Sequence, residues 1–181
     1  MTLTKFSLIL LTMISTASPI VAQSPSKITS SSVTFKIKNM GLTVDGTFGG
    51  LIATIKFDPS HYAQSTMEAT IDVNTIQTGI KMRDKDLKKP EFFDVAKYPI
   101  ISLKSTSFFK VTDGSYKGTF KLTIKGITND IMIPFTCIEA GKSMALKSTF
   151  ELNRRDFSIG GSSLTMSDTV AISVVINTLK P

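Results

Sequence analysis

Residues 42–57 read LTVDGTFGGLIATIKF, and their parity decides the fold. Leu42, Val44, Gly46 and Phe48 occupy even positions, whereas Leu51, Ala53, Ile55 and Phe57 occupy odd ones. Successive side chains of a β-strand point to opposite faces, so the apolar face changes sides between the two sets. The change falls at Gly49-Gly50. A glycine bulge there would bend the strand and return both sets to one face. Strongly bent strands suit a sheet that closes into a barrel.

The same period of two runs through most of the chain. Val33, Phe35 and Ile37 alternate with polar residues, as do Met67, Ala69, Ile71 and Val73. Tyr116, Gly118, Phe120, Leu122 and Ile124 repeat the pattern, followed by Ile131, Ile133, Phe135 and Cys137. Met144, Leu146, Ser148, Phe150 and Leu152 form the next run, and Val170, Ile172, Val174 and Ile176 the last. Such alternation marks half-buried antiparallel strands. Turn signals at Asp58-Pro59-Ser60, Thr112-Asp113-Gly114, Gly126-Ile127-Thr128-Asn129 and Ala140-Gly141-Lys142 separate eight to nine of them, the spacing of an all-β sandwich or barrel.

Lys5, the apolar residues 6–14 and Ile20-Val21-Ala22 before Gln23 follow the order of a secretory signal peptide, too short to span a bilayer. The expected organisation is a signal peptide over residues 1–22, a flexible Ser-rich linker over 23–30 and one domain over 31–181, with a periplasmic or secreted location. Cys137 is the single cysteine, so packing rather than a disulfide must hold the fold. The formal charge of +7 comes mainly from lysines at alternate strand positions, such as Lys36, Lys38, Lys117 and Lys121. They fit a solvated, aggregation-resistant outer face, or transient attraction to an anionic membrane surface. The absence of Trp and of any nucleic-acid motif argues against a nucleic-acid partner.

One stretch breaks the period, residues 81–94, KMRDKDLKKPEFFD. Met82, Asp86 or Leu87, and Lys89 fall near helical spacing and Pro90 ends it, so one or two helical turns are expected within residues 80–90. A helix that short needs apolar support. Its Met82, Leu87, Phe92 and Phe93 would lie over one barrel end as a lid, with the mixed charges facing water.

Recognisable catalytic chemistry is missing. His61 is the only histidine and follows a turn, so no metal or nucleophile site can be completed around it. Cys137 shares the parity of Ile133 and Phe135, as a buried inert thiol would. Asp84, Asp86, Glu91 and Asp94 could act as paired carboxylates, but Lys81, Arg83, Lys85, Lys88 and Lys89 interleave with them as ion pairs would. No phosphate-binding glycine loop or serine elbow is present. No cofactor and no metal are expected.

Arg83-Asp84, Asp86-Leu87, Pro90, Phe92-Phe93-Asp94 and Tyr98-Pro99 together resemble the signature of the YceI-like polyisoprenoid-binding family. Val33, Phe35 and Ile37 followed by Val44, Gly46 and Phe48 resemble its first strands. Gly118 to Thr128 and Asn153-Arg154 with Asp156-Phe157 resemble later segments. The resemblance covers roughly residues 31–178. It implies an all-β fold, an antiparallel eight-stranded lipocalin-like barrel with a short helix near one end. It also implies an exported protein that holds a long-chain amphiphile. Members often carry histidine where Asp86 stands, a departure that bears on the ligand's head group.

A barrel of eight strands has room for one small ligand. Tail burial yields about 0.8 kcal/mol per methylene, against an association cost of roughly 4–15 kcal/mol. A micromolar complex therefore buries on the order of 15–25 carbons, which favours a long isoprenoid or related amphiphile over a short fatty acid. The inward-parity candidates for contact are Phe35, Ile37, Val44, Phe48, Met67, Ile71, Phe120, Leu122, Ile133, Phe135, Leu146, Phe150, Ile172 and Val174. Met82, Leu87, Phe92 and Phe93 join them from the lid. A filled core accounts for the same positions. Arg83 and Arg154 either pair with Asp84, Asp86 or Asp156 to pin the loops, or contact an anionic head group. Two other classes stay open, a ligand-free structural or interaction module and an enzyme using the carboxylates of residues 84–94.

Overall fold

Among the described residues, nine strands form one sheet in which every neighbouring pair is antiparallel. They are β1 (Lys27–Asn39), β2 (Leu42–Phe48), β3 (Ile52–Lys56), β4 (Thr66–Asp72), β5 (Ile100–Thr112), β6 (Ser115–Ile124), β7 (Ile127–Ala140), β8 (Ser143–Asn153) and β9 (Met166–Leu179). They hydrogen-bond in the order β2-β1-β9-β8-β7-β6-β5-β4-β3, and one α-helix among the described residues, α1 (Lys81–Leu87), lies between β4 and β5. The computed structural model describes residues 24–180. The signal peptide expected over residues 1–22 lies outside them.

The two edge strands, β2 and β3, are the halves of the single run quoted above. β1 pairs with β2 from Val33↔Phe48 to Asn39↔Leu42, and beyond the bend the Ser26 amide donates to the Ile55 carbonyl at 2.8 Å. β3 pairs with β4 on its other side. The bent strand therefore bridges the sheet's two edges, and the curled sheet is a lipocalin-like barrel of eight staves, one of them broken in two. Gly50 makes the break with φ +66°, a region open to glycine without a Cβ penalty. Thr75 Oγ1 secures it, accepting from the Gly49 amide at 3.1 Å. Parity reverses there as expected: Gly46 is buried on one side of the bend, Ile55 and Phe57 on the other.

The expected linker is corrected at residues 27–30, which already belong to β1. Lys27 pairs with Leu179 and Ser30 with Asn177. These side chains are mostly exposed, so their polarity reflects an outward face rather than an absence of structure.

Because neighbouring strands alternate in direction, the connections gather at two ends. Residues 57–65 and the β5–β6 and β7–β8 turns lie at one end. The β1–β2 turn, residues 73–99, the β6–β7 turn and residues 154–165 lie at the other. The first end is packed solid. Phe57 meets Phe108, Tyr116 and Phe135 edge-on at centroid distances of 5.5, 5.0 and 5.2 Å. Tyr116 stacks on Phe135 at 5.5 Å. Ile55, Phe120, Ile133, Met144 and Leu146 complete the cluster.

Cys137 sits in this cluster, and burial raises its thiol from 9.0 to about 11. The thiolate is the reactive form, so the native thiol should resist an aromatic disulfide reagent at about pH 8 until the protein unfolds. Only the unfolded chain ionises this group above pH 9, so its contribution to stability is intact below that pH and is lost as pH rises toward about 11. Denaturation of parent and Cys137→Ala should diverge in that window. Parallel pH profiles would contradict the assignment.

Candidate functional site

The second end has a small buried cluster of Leu122, Ile124 and Phe157, and the space beside it is hollow. Inward side chains of β1, β2, β4, β5, β6, β8 and β9 enclose a cavity of about 260 Å³ together with residues from the 73–99 and 154–166 segments. Its wall is almost wholly aliphatic and aromatic. Thr34, Asn39, Thr78, Arg83 and Arg154 are the polar exceptions. Native interiors leave few voids larger than a water molecule, and an apolar cavity of about 150 Å³ is already enough to bind a small hydrocarbon. A void of this size and composition exceeds ordinary packing and has room for an apolar ligand.

The 73–99 segment closes over this end. α1 begins without a side-chain cap on Ile80. Thr78 anchors the turn instead: its amide and hydroxyl donate to Asp84 Oδ1 at 2.8 and 2.6 Å. Arg83 donates from Nε to Thr78 Oγ1 and from Nη2 to the Thr78 carbonyl, both at 2.7 Å. Leu87, Phe92 and Phe93 face the cavity. Phe93 meets Phe48 edge-on at 5.9 Å, and Phe48 meets Phe35 at 5.4 Å, so an aromatic row crosses from β1 through β2 to the insert. The second half of the insert is clamped down. Lys125 Nζ donates to the Pro90 and Ser158 carbonyls at 2.8 and 2.9 Å, and the Gly160 amide donates to the Glu91 carbonyl at 2.8 Å.

The two arginines have different surroundings. Arg154 is 4% exposed. It donates to the carbonyls of Ser167, Ile159, Gly160 and Gly161 at 2.8–2.9 Å and to Asp168 Oδ1 at 2.7 Å. Its partner is thus Asp168, not Asp84, Asp86 or Asp156, and its donors are consumed in holding residues 158–168. Arg83 is half-buried at the cavity wall. It forms no ion pair among the described residues, which corrects the expected carboxylate pairing. Its Nη1 has no protein partner there.

Of the residues expected from parity, Phe35, Ile37, Val44, Phe48, Ile71, Leu122, Phe150, Ile172 and Val174 line the cavity, as do Leu87, Phe92 and Phe93 from the insert. Six do not. Met67, Phe120, Ile133, Phe135 and Leu146 point inward but belong to the packed end, where aromatic rings fill the space. Met82 is 68% exposed on the outer side of α1. The cavity also includes Ile101 and Leu103 of β5, whose serine-rich run hides its alternation, and Leu152, Val170 and Ile176, which share inward parity. Ile76, Phe157 and Ile159 come from irregular segments with no periodic signal.

The carboxylates of residues 84–94 are dispersed. Asp84 serves Thr78, and Asp86 pairs with Lys89 at 2.7 Å. His61 is an exposed turn residue hydrogen-bonded to Asp58 at 2.9 Å, which helps hold the Asp58 carboxyl below its usual range. No cluster of three or more His, Cys, Asp or Glu able to hold a metal occurs among the described residues.

A curled antiparallel sheet with one packed end and an apolar cavity at the other defines a lipocalin-like barrel. Residues 26–178 match the model of the YceI-like domain, and the chain belongs to that family. Protein YceI of Salmonella arizonae is 29% identical over 134 residues, covering 70% of each chain. The crystal structure of BcnA from Burkholderia cenocepacia is similar with a TM-score of 0.78 at 28% identity, covering 81% of this chain and 95% of that one. A polyisoprenoid binding domain from Saccharophagus degradans shares the fold with a TM-score of 0.70 at 16% identity, covering 88% of this chain and all of that one.

Proposed function

We propose that this protein is an exported carrier for a long-chain isoprenoid or related amphiphile. The tail occupies the hollow end, and an anionic head meets Arg83 at the wall. The observation behind this reading is the apolar cavity itself, kept open beside a fully packed half. The polyisoprenoid binding of the Saccharophagus domain supports the ligand class. Arg83 keeps donors available, whereas Arg154 does not. Native mass spectrometry of protein purified from its own cells, followed by organic extraction, should reveal a co-purifying lipid. Protein that emerges empty and binds no prenyl phosphate or prenyl alcohol would sink the proposal.

Gly46 offers a sharper test. A Cβ there would lie 2.1 Å from Phe35 Cζ. In Gly46→Ala the ring must therefore swing toward the cavity, the adjoining open space. Lipid capacity should fall by about tenfold or more, while overpacking costs about 1–3 kcal/mol. Retained capacity in a folded Gly46→Ala protein would show that ligand does not use this space.

The insert supplies the entry route. α1 hangs on Thr78, whereas residues 90–98 are clamped by Lys125 and Gly160. Amides of α1 should exchange with solvent before those of the strands and slow when lipid is bound, and residues 92–98 should stay protected throughout. Uniform protection of α1 without ligand would place entry elsewhere.

A further inference from the structure

We infer that the rim of the hollow end is a docking surface for an anionic phospholipid bilayer. Met40 is 76% exposed, Leu42 73%, Met82 68% and Leu164 fully exposed. Single exposed apolar residues are ordinary, but all four lie on the turn, helix and loop that gather at the hollow end. Met40 and Leu42 flank the tip of the β1–β2 turn. The Met40 amide donates to the Thr165 carbonyl at 2.8 Å, which sets Leu164 beside that turn. Met82 lies on α1, whose Arg83 lines the same cavity as Asn39, Val44 and Met166 next to the tip and loop.

Met40 also occupies a backbone position that disfavours it. It has φ +52° and Gly41 has φ +78°, a turn that asparagine followed by glycine fits best. A strained and solvent-exposed methionine contributes nothing to the barrel's own packing. Around these residues, Lys38, Lys81 and Lys85 are exposed and form no ion pair among the described residues. The neighbouring acids Asp45, Asp84 and Asp86 are engaged by Lys36, Thr78 and Lys89. Glu91 and Asp156 are held through their carbonyls by the Gly160 amide and the Asn129 side chain, and Asp168 pairs with Arg154. Apolar tips ringed by cations suit the interface of an anionic bilayer, where the side chains enter the headgroup boundary and lysines add electrostatic attraction. Docked in this way, the hollow end would face the acyl chains. That use rests on the carrier reading, but the surface itself does not.

The test is flotation of purified protein with phosphatidylcholine vesicles, with and without phosphatidylglycerol. The parent should float only with the anionic vesicles and less so as salt is raised. Met40→Asn combined with Leu164→Ser should lower vesicle affinity about tenfold. Both sites are exposed, and asparagine suits the turn, so the fold is preserved. Parent and variant share the same N-terminus, so a difference reports the rim alone. Met132→Ser with Ile138→Ser, on the outer wall of β7, should change nothing. Lipid uptake from detergent solution should be equal in all three proteins. Absence of parent flotation, equal flotation of the rim variant, or equal loss in the β7 control would each overturn the proposal. Vesicle binding that survives while detergent-delivered lipid is refused would support docking and sink the carrier reading instead.

Discussion

Arg154→Met should lower the unfolding free energy by about 3 kcal/mol or more, read as a fall in urea midpoint at unchanged slope. The side chain is 4% exposed, and a guanidinium offers five N–H donors. Here they reach four carbonyls of the 159–167 loop at 2.8–2.9 Å and Asp168 at 2.7 Å. Methionine fills similar space but satisfies none of them, and each carbonyl left dry costs about 1–3 kcal/mol. Asp168 is 45% exposed and can rehydrate, which limits its share of the loss. Lysine would keep the charge but cannot span the carbonyls, so Arg154→Lys should recover only part of the stability. The damage should spread to the insert, because Gly160 also holds the Glu91 carbonyl. A variant of normal stability that loses only anionic ligands would contradict this assignment and return Arg154 to head-group recognition.

Alternation along the sequence shows which side chains face the barrel axis, and the double glycine at 49–50 shows where one strand must bend. Both features follow from local geometry, since the pleat has a period of two and only glycine enters Gly50's conformation freely. Height along the axis is a different matter. Ile133 and Ile172 have the same inward parity and similar chemistry, yet one is locked in the packed end and the other lines the cavity. What separates them is where rings from β5, β6, β7 and the 57–62 segment converge, a property of several strands at once. The insert divides in the same way. Its helix and its Pro90 stop are legible from spacing, but the side of α1 that Met82 takes depends on the Thr78 anchor outside the helix. Arg154's partner was hidden because Asp168 is brought to it by the loop rather than by sequence spacing.

The division into a packed and a hollow end sets the second large expected effect. Phe135→Ala should cost about 3–5 kcal/mol, whereas Phe150→Ala should cost only about 1–2 kcal/mol. Both are inward phenylalanines of adjacent strands, so parity alone would rank them equally. Phe135 is 7% exposed and is gripped by Tyr116, Phe57 and Phe108 at centroid distances of 5.5, 5.2 and 5.9 Å. Its removal leaves a void among rings that cannot collapse without leaving their own contacts. Phe150 borders the existing cavity and already lacks packing partners on that side, so less dispersion energy is lost with it. The functional consequences should run the other way. Phe150→Ala enlarges the space offered to a lipid tail and should shift preference toward bulkier or longer chains, while Phe135→Ala should leave the preference of the remaining folded protein unchanged. Urea denaturation and competition between prenyl chains of different length measure the two halves of this expectation. Equal stability losses would mean that the hollow end is packed as tightly as the other. A changed chain preference in Phe135→Ala would mean that the ligand reaches past the cavity into the aromatic cluster.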